Sequence, residues 1–433
     1  MKHIIAFLLA VLVLLAGTAS AESWTLTELD VPEGEPLGVS PDGSTLVLRS
    51  DENLLILRNG KTKVIEPNYE RGAADEYGHF FMLNKSLRYK FCFDGAGVIW
   101  SPDGRYFALT HWQDVMNYNN PIYDPILFDV EKGENFLLST NDHRFGIGGS
   151  VLLAASFDET GKYFDYIRLG THVDGRESFE RCNIESGTRI CLAELFPIQT
   201  YGKNGQGLNR LDEKRYLMIR EAKNSYESSS LDLLEKTDSA SEDEAWSETL
   251  YPFCLPVNTV RPYRLMTQPN TRYGLVWAIY ERESPTATGM LFRIDLQNDF
   301  EGMDKCILID SLQAKSAVLV SLSDDAMADR AKRFLAKGLS IINAALSPDG
   351  TRALLLVCDQ TQQIYRLVIL DMETLLLEWV DFSGSLNVYD HWVETTNATR
   401  NYRFNPGMQW VFNDQLLLYS EEEVRLYQLS KEE

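Results

Sequence analysis

Apolar and polar positions alternate along this chain in short runs that are too brief for helices. Between residues 36 and 66 the runs "PLGV", "STLVLRS", "NLLILR" and "KTKVIE" follow one another, broken at Asp51-Glu52 and at Asn59-Gly60. Each run is the length of a strand, and Asn-Gly between apolar runs is a strong hairpin signal because both residues accept the positive φ of a type I′ turn. The same plan returns around "ILFDVEKGENFLL" at 126–138 and "IYRLVILDMETLLLEWV" at 364–380. The pattern predicts an all-β chain of four-strand meanders.

A turn phrase marks the meanders. It is clearest in "VSPDGSTLVLRS" at 39–50, "WSPDGRYFALT" at 100–110 and "LSPDGTRALLLV" at 346–357. Pro presets φ, Asp bonds the nearby backbone and Gly takes the left-handed position. Weaker copies are "SFDETGKYFDYI" at 156–167, "RLDEKRYLMI" at 210–219, "TQPNTRYGLVWAI" at 267–279 and "VFNDQLLLYS" at 411–420. Alignment on the turn glycine or its substitute gives Gly43, Gly104, Gly161, Lys214, Thr271, Gly350 and Asp414. Four antiparallel strands per repeat is the blade of a β-propeller. The expectation is one propeller over residues 22–433 with seven four-stranded blades, six or eight staying open. Two stacked sandwiches are the alternative. The last unit is one strand short, so Trp24 to Leu29 is expected to complete it beside residues 423–428 and close the ring.

The three Ser-Pro-Asp-Gly turns, each followed by a run such as "RYFALT", resemble the TolB-like group of propeller repeats. Similar repeats occur in the propeller domains of prolyl-oligopeptidase-type enzymes. The resemblance implies a structural turn between the two inner strands of a blade and a protein-binding, scaffold or accessory propeller; it carries no activity. The apolar runs of the last unit reach almost to residue 433, and there is no Gly-x-Ser-x-Gly elbow, so an appended hydrolase domain is not expected.

The first 21 residues, with Lys2, the apolar "IIAFLLAVLVLLAG" and Ala19-Ser20-Ala21, read as a signal peptide cleaved before Glu22. That makes the mature protein secreted or periplasmic, with no membrane insertion after cleavage. The formal net charge is −22. Nucleic-acid binding rests on basic patches, so no nucleic-acid partner is expected.

If the blade strands are counted outward from the axis, most long connections fall on one face, at 67–96, 139–150, 193–205, 312–341 and 382–406, with 111–124 in a second kind of connection on the same face. Long loops held together by a rigid scaffold are the default place for function. Two of them stand out: "HWQDVMNYNNPIYDP" at 111–125 and "YDHWVETTNATRNYRFNPG" at 389–407. Aromatic faces with planar hydrogen-bonding groups suit a sugar or a peptide. Candidate ligand-binding residues are therefore Trp112, Tyr118, Asn119, Asn120, Tyr123, Tyr389, Trp392 and Tyr402. These side chains could equally pack the loops together. Should the protein be an enzyme, a hydrolase or lyase of extracellular polymer, acid and base would come from His111, Asp114, Asp390, His391 and Glu394. No metal-ligand spacing and no cofactor motif is present, so neither a metal nor a cofactor is expected.

Three further segments carry expectations. "KTDSASEDEAWSE" at 236–248 reads as a solvated loop. "SDDAMADRAKRFLAK" at 323–337 reads as a helix capped by Ser323, with Met327, Ala331, Phe334 and Leu335 on one face packed on the rim. In "ERCNIESGTRICLA" a two-residue turn at Ser186-Gly187 would place Cys182 opposite Cys191 and favour a disulfide, while Cys306 and Cys358 suit the core. The chain is thus expected to be an exported, non-catalytic propeller binding a protein or glycan through its long-loop face.

Overall fold

The computed structural model describes residues 24–29, 35–50, 53–58, 61–65, 99–113, 122–137, 152–168, 177–186, 188–195, 208–220, 229–237, 245–253, 260–280, 288–322, 339–359, 364–381, 407–412, 414–419 and 424–431. Every regular element among them is a β-strand. The first is β1 (Trp24–Leu29). Group I holds β2 (Glu35–Val39), β3 (Thr45–Ser50), β4 (Asn53–Arg58) and β5 (Lys61–Ile65); group II holds β6 (Ile99–Trp100), β7 (Tyr106–Gln113), β8 (Ile122–Asp129) and β9 (Glu134–Leu137). Group III holds β10 (Leu152–Phe157), β11 (Tyr163–Arg168), β12 (Glu177–Asn183) and β13 (Arg189–Leu195); group IV holds β14 (Asn209–Arg210), β15 (Arg215–Arg220), β16 (Ser230–Thr237) and β17 (Ala245–Pro252). Group V has five strands, β18 (Val260–Met266), β19 (Tyr273–Tyr280), β20 (Thr288–Asp295), β21 (Lys305–Leu308) and β22 (Val318–Ser321). Group VI holds β23 (Leu339–Leu346), β24 (Arg352–Asp359), β25 (Ile364–Asp371) and β26 (Leu377–Asp381), and group VII β27 (Gly407–Phe412), β28 (Gln415–Tyr419) and β29 (Val424–Lys431).

Within each group neighbouring strands pair in chain order, antiparallel throughout. The inner strands are buried on both faces. Consecutive residues Leu354 and Leu355 are both fully buried, and all eight residues of β23 are buried. A sandwich strand with one face in water alternates instead, which sets the sandwich alternative aside. The cause is that each sheet lies between two others: apolar clusters join II to III, III to IV, IV to V, V to VI and VI to VII. Group I meets II where Gly104 sits against Ser40 and Asp42, and β2 lies beside β29 of group VII.

The repeated turn explains how these sheets register with one another. Tyr106 N–H donates to Ser101 Oγ (2.8 Å), Ser101 Oγ donates to Asp103 Oδ1 (2.6 Å), and Arg105 N–H donates to the same oxygen (3.1 Å). Groups I and VI repeat this relay with Ser40-Asp42 and Ser347-Asp349. Group III inverts it: Asp158 stands where the serine was and Thr160 where the aspartate was. Tyr163 N–H now donates to Asp158 Oδ1 (2.8 Å), and Thr160 Oγ1 donates to Asp158 Oδ2 (2.6 Å). Burial opposes ionisation of Asp42 and Asp349, but their serine and backbone donors outweigh it and hold both below the usual aspartate value.

In groups II, III, V and VI the turn then seats on the preceding one. Gly104, Gly161 and Gly350 have φ of 68°, 66° and 68°. A Cβ on Gly104 would touch Ser40 and Asp42 of group I, one on Gly161 would touch Ser101 and Asp103 of group II, and one on Gly350 would collide with Thr271 of group V. In group V the left-handed residue is Asn270, φ 61°, rather than Thr271, and its N–H donates to Leu211 O of group IV (2.7 Å). The glycine is thus required twice, for backbone freedom and for the approach of the next sheet.

A buried polar joint links groups III and IV. Asp165 and Arg181 are cross-strand partners joined by two hydrogen bonds of 2.7 and 2.8 Å, and Tyr216 O–H donates to Asp165 Oδ2 across the inter-sheet space (2.6 Å). Asp165 is fully buried. Desolvation raises its pKa against the lowering by Arg181 and Tyr216, and burial with the nearby carboxylate pushes the Tyr216 phenol well up.

β1 pairs antiparallel with β29 from Trp24↔Lys431 to Leu29↔Leu426. It also pairs parallel with β26 at Trp24↔Val380 and Thr25↔Asp381, which makes groups VI and VII one continuous eight-stranded sheet. Trp24 Nε1 donates to Glu378 Oε2 (2.7 Å), and Lys431 Nζ lies 3.0 Å from Glu378 Oε1.

Several expectations need correction. Group V gains β22 inside the segment assigned to a long connection at 312–341. The stretch 236–248 is not all solvated loop, because Lys236 pairs with Trp246, whose indole is buried between groups III and IV. The helix expected at 323–337 and the signal segment lie outside the described residues, within which no helix is long and apolar enough to cross a membrane.

Gly350→Ala should cost more than Gly104→Ala, about 2 kcal/mol or more against about 1–2, since both force L-residues into the left-handed region and only the first also meets Thr271; denaturant midpoints measure both. Arg181→Met should lose about 3–5 kcal/mol by leaving a buried carboxylate uncompensated, and Tyr216→Phe about 1–3 kcal/mol. Asp165 titrates higher folded than unfolded, so the folded state takes up its proton first on acidification. The Arg181→Met defect should therefore shrink between pH 8 and pH 5, read as the change in melting temperature.

Candidate functional site

β7 and β8 are rich in aromatic and β-branched residues, which favours extended pairing. Their ladder runs from Tyr106↔Asp129 to Gln113↔Ile122; among the described residues β6 pairs with it at Ile99 and Trp100 and β9 as far as Ile126. Residues 109–113 and 122–125 form the arm of this ladder that lies away from the turn. The register sets His111 opposite Asp124 and Trp112 opposite Tyr123. The expected loop at 111–124 is therefore shorter, residues 114–121 between the strands.

Three of the candidate residues, His111, Trp112 and Tyr123, are brought into one hairpin end. Asp114, Tyr118, Asn119 and Asn120 lie in the connection, outside the described residues. So do Tyr389, Asp390, His391, Trp392, Glu394 and Tyr402.

The arm sits at the end of group II away from the Ser-Pro-Asp-Gly turn. At the turn end the carboxylates are committed to the backbone. Asp129 accepts from Glu131 and Lys132 N–H and from Arg105, Asp295 from Gln297 N–H, Asn298 and Arg272, and Asp371 from Glu373 and Thr374 N–H. For Asp295 and Asp371, burial is outweighed by these bonds and the acids stay below their ordinary value. They terminate hairpins and do not point to proton transfer. Asp165 is enclosed by its own partners. Among the described residues no group of three or more His, Cys, Asp or Glu is placed to hold a metal ion.

The cysteine hairpin differs from expectation. Cys182 pairs with Arg189 and Cys191 with Glu180, and the two thiols are not joined. The turn is longer than the two residues Ser186-Gly187: Asn183 N–H donates to Thr188 O (2.8 Å), and the Asn183 side chain accepts from Glu185 and Ser186 N–H. This asparagine-capped loop shifts the register by two residues. Cys182 is buried and Cys191 exposed. Cys306 and Cys358 are core residues, and burial pushes the Cys306 thiol up to about 12.

Reading the sequence missed the Asp165-Arg181-Tyr216 joint and the Trp24-Glu378-Lys431 contact. The first had a signal, a carboxylate within the aromatic run "KYFDYI" and an arginine in "FERC".

No family model matches the chain, and no curated protein matches it. Similar solved structures include the β-propeller domain of Cps50 (Swd1) from Myceliophteria thermophila, with TM-score 0.45, 11% identity, 94% of this chain and 100% of that one. They also include an oligogalacturonate lyase from Vibrio parahaemolyticus, with TM-score 0.48, 11% identity and 94% and 93% of the two chains. TolB from Acinetobacter baumannii gives TM-score 0.33, 9% identity and 94% and 80% of the two chains.

Proposed function

We propose that the seven groups are the blades of one closed propeller, sealed by β1 in the last blade, and that the protein is an exported, non-catalytic module that binds a protein or glycan through its long-loop face. Cyclic packing from I to VII and back through β2 and β29 supports the ring. The mature protein is secreted or periplasmic, and its acidity argues against nucleic acid as a partner.

The observation that carries the binding reading is the arm of the β7–β8 ladder that lies away from the turn. It sets two aromatic residues, Trp112 and Tyr123, opposite each other in register. A paired backbone limits their freedom, so less entropy is lost on contact with a ligand. At the turn end Asp129, Asp295 and Asp371 already serve the fold.

The mature chain, residues 22–433, is screened by thermal shift against oligosaccharides, cell-wall fragments and peptides. A ligand at a hundred times its Kd should add about 2.7 kcal/mol to folded-state stability and raise the melting temperature by several degrees. Trp112→Ala should abolish that shift while leaving the ligand-free melting temperature within about 1–2 °C. An unchanged response in Trp112→Ala would move the site away from the arm.

A further inference from the structure

We infer that the outer edge of β5 receives an extended acidic segment of a partner protein as a further strand of group I. This surface is separate from the arm that carries Trp112 and Tyr123. Strand addition draws affinity from main-chain hydrogen bonds and specificity from alternate side chains, and β5 supplies both.

The backbone sets the edge. β5 pairs with β4 on one side, and among the described residues no strand pairs with its other side. Arg58↔Lys61 and Ile56↔Lys63 are register partners. The pair flanking a two-residue hairpin turn is hydrogen-bonded, and such pairs recur at every second position. Lys61 and Lys63 thus spend their N–H and C=O groups on β4, while Thr62 and Val64 turn theirs to the open edge. Lys61, Thr62, Lys63 and Val64 are all exposed, Val64 by 54%.

Charge names the occupant. The chain has a formal net charge of −22, and β9, β13 and β17 carry Glu134, Glu194 and Glu248, whereas β5 carries two lysines and no acid. Arg58 stands directly opposite Lys61, and like charges so placed weaken a sheet. Lys63 Nζ donates to Lys132 O (3.1 Å), and a Cβ on Gly133 would collide with that ammonium, so the bare glycine lets Lys63 reach the Lys132 backbone. Among the described residues none of these four cations forms an ion pair; Asp42, whose charge reaches Arg58, is bonded to Ser40 and Ser44. Departures of this kind from local preference are expected where a surface binds. An antiparallel acidic strand would set one carboxylate opposite Lys61 and another opposite Lys63, in the non-hydrogen-bonded pairs where side chains approach most closely.

The probe is a short fluorescein-labelled peptide in which glutamate alternates with threonine, titrated against the mature chain, residues 22–433, and followed by anisotropy. Saturable binding is expected, with none for the same peptide carrying lysine in place of glutamate. N-methylation at the threonines, whose N–H groups would bond β5, should abolish binding; N-methylation at the glutamates, whose N–H groups would point away, should leave it. Lys61→Glu should weaken binding roughly fivefold without lowering the melting temperature, since it also relieves the repulsion with Arg58. Hydrogen exchange at the Thr62 and Val64 amides should slow when the peptide is added. Failure of the peptide to bind overturns the proposal. Equal effects of the two N-methylation patterns overturn it too, because they leave a charge patch open to any polyanion. So would Thr62 and Val64 amides that are protected before peptide is added, since the chain itself or a second copy would then fill the edge.

Discussion

The fold depends on a hydrogen-bonded relay of three groups inside the turns of groups I, II, III and VI, and on the bare Cα that follows it. A backbone N–H reaches a side-chain oxygen, that oxygen reaches a second side chain, and a second N–H closes the set. These bonds are local and each contributes only about 1 kcal/mol. Their structural effect is larger, because the turn they shape becomes the floor on which the next sheet sits. Gly104 against Ser40 and Asp42, and Gly161 against Ser101 and Asp103, show one module used as both keel and socket. The inversion in group III shows that the shape matters more than which partner carries the charge. Asp158 and Thr160 build the geometry that Ser101 and Asp103 build, with donor and acceptor exchanged.

Stacking sheets in this way sets the composition of the strands. A sheet with neighbours on both faces has no solvent side, so β23 and β24 are nearly continuous in apolar residues. It also explains where the buried charge is tolerated. Asp165 and Arg181 pair within one sheet, and Tyr216 completes the set from the next, so each polar atom enters the inter-sheet space already matched. In an architecture where each unit touches its two neighbours, the effect of a change is felt chiefly in those neighbours.

How much of this was legible varies from one residue to the next. The Ser-Pro-Asp-Gly turns, the hairpin across Asn59-Gly60 with Arg58↔Lys61 flanking it, and the position of β1 beside β29 can all be read from the chain. Such features follow from local chemistry or from counting strands. The errors arose where a longer-range or competing interaction decided. Ser186-Gly187 has the composition of a tight turn, but Asn183 gathers the neighbouring N–H groups and enlarges the loop. Trp246 stands among acids in sequence and among Phe179, Tyr216 and Leu192 in space. In group V the left-handed position falls on Asn270, one residue before the aligned Thr271, because an asparagine tolerates that φ. For the candidate site, the arm bearing Trp112 and Tyr123 was visible as an aromatic cluster, but not as paired strand. Of the half of the site expected from 389–407, residues 389–406 lie outside the described residues.

The register of β1 against β29 has a mechanical side. Trp24 and Lys431 face each other at one end of the ladder, so tension applied between these two residues pulls along the direction of the hydrogen bonds. The load falls first on this pair and on the contacts of Trp24 with β26, then on the next pair, and the strand peels from β29 like a zipper. Loading it from opposite ends would strain all six positions in shear. A protein tethered by residues near Trp24 and Lys431 would thus yield at this seam under modest force, while the doubly buried sheets behind it stayed intact.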